Sequence, residues 1–203
     1  MAAPYAWPFD GAWSAGDTAL LVLDMQAWLL EALARPDLEA AVLRLVVAAR
    51  RAGLPVVFTQ RLRPEGGVAL RRAAAATWPD AQPPPHGVAR AAILPALAPP
   101  TPHDVVARSG YSAFGGTALD QLLRRQGVRN LILCGAVTEG AVHATMRDAN
   151  DRGFECLLVE DAAASPDPAH HAAILRITRF GNGLFGTTAP LAALLAAMEE
   201  EGG

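Results

Sequence analysis

Between Asn130 and Asp148 the chain reads NLILCGAVTEGAVHATMRD. Asn130 to Cys134 is an apolar run suited to a strand buried on both faces. A glycine-bearing turn follows, and from near Thr138 the pattern becomes helical. An apolar strand that turns and re-enters as a helix is the joint of an α/β domain. Ligands in such sheets bind beyond the carboxyl ends of the strands, and unpaired N–H groups at a helix start suit an anion or an oxyanion. The joint therefore places a site at residues 136 to 142. The side chains there are Ala136, Val137, Thr138, Glu139, Gly140, Ala141 and Val142. None is a good nucleophile.

The rest of the chain alternates in the same way. Residues 1 to 17 form an arm rich in Trp, Tyr and Pro, expected to pack on the domain or on a neighbouring subunit. Thr18 to Asp24 reads as a buried central strand, with Asp24 at its carboxyl end. Asp37 is expected to cap a helix through Arg51, ended by Gly53, and Pro55 to Gln60 is a second strand. Residues 61 to 102 read as an excursion over the mouth of the site, with helical pieces at 65 to 76 and 88 to 97 broken by proline clusters. His103 to Arg108 is a third strand, and Thr117 caps a helix to Gln126. After the joint come a strand from Phe154 to Glu160, a helix over 167 to 180, a short strand from Leu184 to Thr187 and a last helix from Pro190 to about Glu199. Such alternation predicts one α/β domain spanning 1 to 203, its mainly parallel sheet covered by helices on both faces.

The motifs themselves resemble the isochorismatase-like hydrolase family. Its joint runs roughly G-V-x-T-D-x-C-V-x-x-T-x-R-D-A. Gly135, Thr138, Val142, Thr145, Arg147, Asp148 and Ala149 fit in order, with Glu139 in place of Asp. LLVLDMQ at 20 to 26 and RSGYSAFGGTAL from Arg108 to Leu119 fit as well. PYAWPFDG near the start, DRGFECLLVED at 151 to 161 and GLFG at 183 to 186 look most similar to the biuret- and ureide-hydrolysing branch. The resemblance implies a Rossmann-like three-layer sandwich. It places the family's catalytic cysteine on Ala141 and its lysine on Arg108, and makes Asp24 the residue that accepts or donates a proton. It further implies a cis peptide at Val137–Thr138, N–H groups of the turn (that of Ala141 among them) aimed at a substrate oxygen, and Tyr111, Ser112 and Phe114 walling the pocket or a subunit contact. Val137, Thr138, Gly140, Tyr111 and Phe114 are the expected substrate-binding residues.

Two of these positions change the chemistry. Alanine has nothing with which to attack a carbonyl, so the family's acyl-enzyme route is closed at Ala141. Arginine keeps the lysine's charge but is bulkier, stays protonated and pairs bidentately with carboxylates. At 108 it can lock Asp24 as a carboxylate. Cys134 and Cys156 lie inside apolar strand runs and read as buried core thiols rather than a disulfide or a substitute nucleophile.

Net charge is −3, from 17 Lys and Arg against 20 Asp and Glu, and no basic cluster marks a nucleic-acid surface. No apolar run approaches the ~20 residues that span a bilayer, so no membrane partner is expected. No signal peptide is read at the start, and a cytoplasmic location is expected. His86, His103, His143, His170 and His171 show no metal-ligand spacing, and SGYSAFGG lacks the frame of a phosphate loop. No metal and no cofactor are expected. The expected partners are a small-molecule ligand and a homo-oligomer, dimer or tetramer, or a hetero-oligomer with a relative. Three functional readings stay open: an enzyme that acts without a thiol through Asp24 protonation, with Arg108 holding a substrate carboxylate; a catalytically silent binding subunit paired with an active relative; and a purely structural subunit.

Overall fold

A computed structural model describes residues 1–62, 92–97, 99, 101 and 104–201. Six strands, β1 Thr18–Leu23, β2 Val56–Arg61, β3 Val105–Arg108, β4 Asn130–Ala136, β5 Glu155–Ala164 and β6 Thr187–Ala189, form one sheet in the order β3-β2-β1-β4-β5-β6. Every pairing is parallel. Among the described residues the helices are α1 Ala27–Leu33, α2 Pro36–Arg51, α3 Leu119–Arg125, α4 His143–Asp151, α5 Pro168–Gly183 and α6 Leu191–Glu201.

The strand residues divide by parity between two cores, because successive side chains leave a strand on opposite faces. Leu20, Val22, Phe58, Ile132 and Leu157 meet α2 and α6 through Leu38, Val42, Leu45, Leu194 and Met198. Ala19, Leu21, Leu23, Leu131 and Leu158 meet α3, α4 and α5 through Leu119, Leu123, Met146, Ile174 and Leu175. β1 and β4 are buried along their whole length, so the sheet is covered on both faces, as the apolar runs predict.

Several expected boundaries move. β4 runs to Ala136 rather than ending at Cys134, because Gly135 and Ala136 pair with Ala163 and Ala164 beyond a register shift. For the same reason β5 extends to Ala164. The last short strand lies at Thr187–Ala189, where β5 offers partners, instead of 184 to 187. Helix α1 has no counterpart in the sequence reading. Asp37 does not cap α2: Arg35 precedes the helix, Pro36 opens it, and the Asp37 carboxylate instead accepts from Arg35 Nε at 2.9 Å. Gly53 follows the end of α2 in the left-handed region, as expected.

The N-terminal arm packs on its own domain. Ala3 forms an antiparallel bridge with Thr188 on the sheet edge, and Trp7 and Trp13 lie against the first core. Of the expected excursion, Arg61 belongs to β2 and Pro95–Leu97 is a single 3-10 turn. Its return is tied down beside β1, where Gln26 bridges Ile93 and Leu94 N–H donates to the Met25 carbonyl at 2.9 Å. The helix expected over 65 to 76, His86 and His103 lie outside the described residues. No helix among the described residues is long and apolar enough to cross a membrane.

Candidate active site at the β1–β4 switch point

Strand order reverses between β1 and β4, and the crevice beyond their carboxyl ends is where an open α/β sheet takes a ligand. Asp24 leaves β1 in the left-handed region at φ 50, a conformation that Asp tolerates better than most residues. It is 1% exposed. Its two oxygens are both engaged: Oδ1 accepts from the Thr59 hydroxyl at 2.6 Å, and Oδ2 accepts from Arg108 Nη2. Asp24 N–H donates back to Thr59 Oγ1 at 3.1 Å, closing a ring between the ends of β1 and β2. Arg108, 2% exposed at the end of β3, spends its Nη1 on the Gly110 carbonyl. Burial is the main influence on this pair. It lifts the Asp24 carboxyl above its ordinary range against the pull of Arg108 and Thr59, and it lowers the Arg108 guanidinium against the pull of Asp24.

β4 supplies the other wall. At Gly135, φ is +110, and a Cβ there would stand 2.1 Å from the Leu23 carbonyl oxygen. Only glycine lets β1 and β4 close up beside Asp24. Beyond the strand, Thr138–Val142 is a π-helical turn that feeds α4, a feature frequent at functional sites. The cis peptide lies at Ala136–Val137, one bond before the expected Val137–Thr138. β4 pairing continues through Ala136, so this is the bond at which the chain leaves the sheet. The N–H groups of Gly140 and Val142 donate to the Val137 carbonyl at 3.1 and 3.2 Å, so they are already committed within the turn.

Ala141 sits in this turn, 3% exposed, among the second-core residues. Thr138 shares a 2.8 Å hydrogen bond with His171 Nδ1, and Glu139 Oε1 accepts from the Ser165 hydroxyl at 2.9 Å. The turn is thereby held from α5 and the end of β5. Burial keeps the His171 imidazole below its usual value. Gly140 lies close to Val137 and the Tyr111 ring: an added Cβ would be 2.9 Å from Val137 Cγ2 and 3.7 Å from Tyr111 Cδ1. Tyr111 therefore stands against the turn.

Phe114 does not. Its ring is buried in the second core and stacks on Phe154 at 5.7 Å, near the amino end of β5 and away from Asp24. Ser112 turns to Asp148, donating at 2.6 Å. His143 packs edge-on against Phe185. Cys134 and Cys156 are free and fully buried, one in each core, and burial pushes both thiols up. Among the described residues no three His, Cys, Asp or Glu side chains gather as a metal site.

Sequence reasoning misses three residues here. Gln26 is fully buried and holds the end of β2, accepting from Arg61 N–H at 3.0 Å and donating to the Arg61 carbonyl at 3.2 Å. Thr59 holds Asp24. Arg61 lies with its guanidinium 5.0 Å from the centre of the Tyr111 ring. The signal for Thr59 and Arg61 is present in the chain: both lie at the carboxyl end of an apolar strand, the same ground that singles out Asp24.

Fold and site together define an α/β protein whose buried Asp24–Arg108 pair and π-helical turn lie at the topological switch point. The isochorismatase domain model matches residues 18–189, and the chain belongs to that family. It is 32% identical to a ureidoacrylate amidohydrolase of Yersinia enterocolitica over 86% of this chain and 88% of that one. It is 29% identical to a ureidoacrylate amidohydrolase of Methylorubrum extorquens over 97% and 88%. Among solved structures, a cysteine hydrolase from Pseudomonas syringae pv. phaseolicola superposes with a TM-score of 0.78 at 25% identity, covering 94% of this chain and 97% of that one.

Proposed function

We propose that this isochorismatase-family chain binds a small carbonyl or carboxylate compound at the β1–β4 crevice, and that any turnover there proceeds without a thiol, with Asp24 as the group that moves a proton. The observation that carries this reading is the methyl of Ala141 at the turn where the resemblance places the catalytic cysteine. Cys134 and Cys156 are both fully buried in the cores, so neither substitutes. The reading supposes that the Ala141 N–H takes the ligand's oxygen, since those of Gly140 and Val142 are spent inside the turn.

A catalytically silent binding subunit is the second reading. The observation that favours it is the ion pair of Asp24 with Arg108, which opposes protonation of a carboxylate whose two oxygens each accept from a protein donor. A proton that binds Asp24 must do so against the charge of Arg108. Holding a ligand beside the pair requires no such proton.

Alkylation under native conditions tests the shared part of both readings. Iodoacetamide is expected to leave Cys134 and Cys156 unmodified until the protein is unfolded, and to change neither ligand binding nor any turnover of small amides, ureides or enol-ether acids. Turnover abolished by the reagent in the folded protein would overturn the proposal.

A further inference from the structure

Arg61 and Arg108 are direct partners across the parallel β2–β3 pairing, so their side chains leave the sheet on the same side. They are 9% and 2% exposed. Like charges set directly opposite one another in a sheet oppose folding, and a buried charge is costly unless it is paired. Among the described residues only Asp24 offsets them, and it is already held by Arg108 and Thr59. Arg61 makes no ion pair with a carboxylate among the described residues. Its guanidinium rests on the face of Tyr111, while Gln26 fixes its backbone from both sides. This is a buried cation at the carboxyl end of β2, with no counter-ion of its own among the described residues. After burial and the counteracting Asp24, its field is a cause of the lowered Arg108 guanidinium.

The chemistry needed to complete the crevice is a negative charge. Arg108 is the poorer anchor for a ligand's carboxylate: its Nη1 and Nη2 are directed at Gly110 and Asp24, and its side chain, unpartnered Nε included, is fully buried. The Arg61 fork can still offer paired N–H donors to a planar anion. Tyr111 also lies against Gly140, so Arg61, Tyr111 and the turn form one continuous wall.

We infer that Arg61, clamped over Tyr111 beside the Asp24–Arg108 pair, is the anchor for a carboxylate of the ligand, so that the crevice selects small monoanionic carbonyl compounds over neutral ones. The inference rests on the placement of the ligand site proposed above and assigns to Arg61 the role first expected of Arg108.

Calorimetric titration with malonamate and malonamide, a half-amide anion and its neutral isostere, tests it. Methyl NMR of Val137 reports in parallel whether the turn is touched. The wild type is expected to bind malonamate about tenfold or more tighter than malonamide, since a hydrogen bond to a charged group is worth at least that factor. Arg61→Gln should erase the difference by weakening malonamate alone, and Arg61→Lys should keep part of it. Tyr111→Leu, which removes the clamp but no charge, should weaken malonamate more than malonamide. A wild type that binds neither probe overturns the inference. So does an Arg61→Gln protein that keeps the preference while the Val137 methyls still shift, a result that leaves the site reading standing. Binding that leaves the Val137 methyls unmoved overturns both.

Discussion

Arg108→Gln is expected to lower stability by about 3–5 kcal/mol near neutral pH, the range found when one partner of a buried ion pair is removed. Asp24 is 1% exposed, and among the described side chains only the Thr59 hydroxyl would remain as a donor to its carboxyl. Burial already lifts this carboxyl, and loss of the guanidinium lifts it further above its unfolded value of about 3.9. Above the folded value, folding must bury an ionised carboxylate, and the penalty is complete. Below the unfolded value both states are protonated, and the penalty vanishes. The difference between wild type and variant should therefore shrink as pH falls through the folded value toward the unfolded one. Urea unfolding across the range from about pH 8 to about pH 4.5 measures it. A loss that does not change with pH would show that Arg108 contributes by packing rather than as the cation paired with Asp24. Adding Asp24→Asn to Arg108→Gln should recover part of the loss, because no charge is then left buried, and Asn accepts the left-handed backbone that Asp24 adopts.

The second large effect is expected from Ala141→Cys. The substitution places a thiol at the start of the helical segment that continues into α4, where the backbone N–H groups favour thiolate. The introduced thiol should titrate below the roughly 8.5 of a free cysteine. The native thiols, fully buried and pushed up, stay silent in the same titration. Hydrolysis of a small activated ester or amide should then become measurable, and Arg108→Lys on the same background should increase it by giving Asp24 a more mobile partner. If Asp24 moves the proton, Asp24→Asn in the Ala141→Cys protein should lower the rate by roughly 10²–10⁴-fold, the usual contribution of a general acid or base. An introduced thiol with an ordinary pKa and no turnover, with or without Arg108→Lys, would mean that the crevice is not arranged for acyl transfer.

Both predictions concern residues from different strands, and these are not equally visible in the chain. Apolar runs are local facts. Stretches of buried strand character alternating with helical pattern lead directly to a parallel sheet with two covered faces, since backbone pairing and burial leave little else for such runs to do. Asp24 and the turn at 136 to 142 are legible for the same reason: each follows an apolar strand, and strand ends carry the chemistry in such sheets. The family motifs add Arg108 and Ala141.

What the chain alone leaves open is decided by register and packing. Along the sequence Arg61 reads as the first residue of an excursion, and only the β2–β3 pairing sets it opposite Arg108. The family resemblance puts Phe114 on a pocket wall or a subunit contact, whereas packing against Phe154 takes it into the core. Thr59 looks like one more strand residue until β1 and β2 align its hydroxyl with Asp24. The role of Arg108 likewise depends on contacts, for packing buries its side chain fully and turns Nη1 and Nη2 to Gly110 and Asp24. Periodicity along one strand states which side chains are buried together. Which charge meets which across neighbouring strands is a property of their alignment, and that alignment is set by the whole core at once.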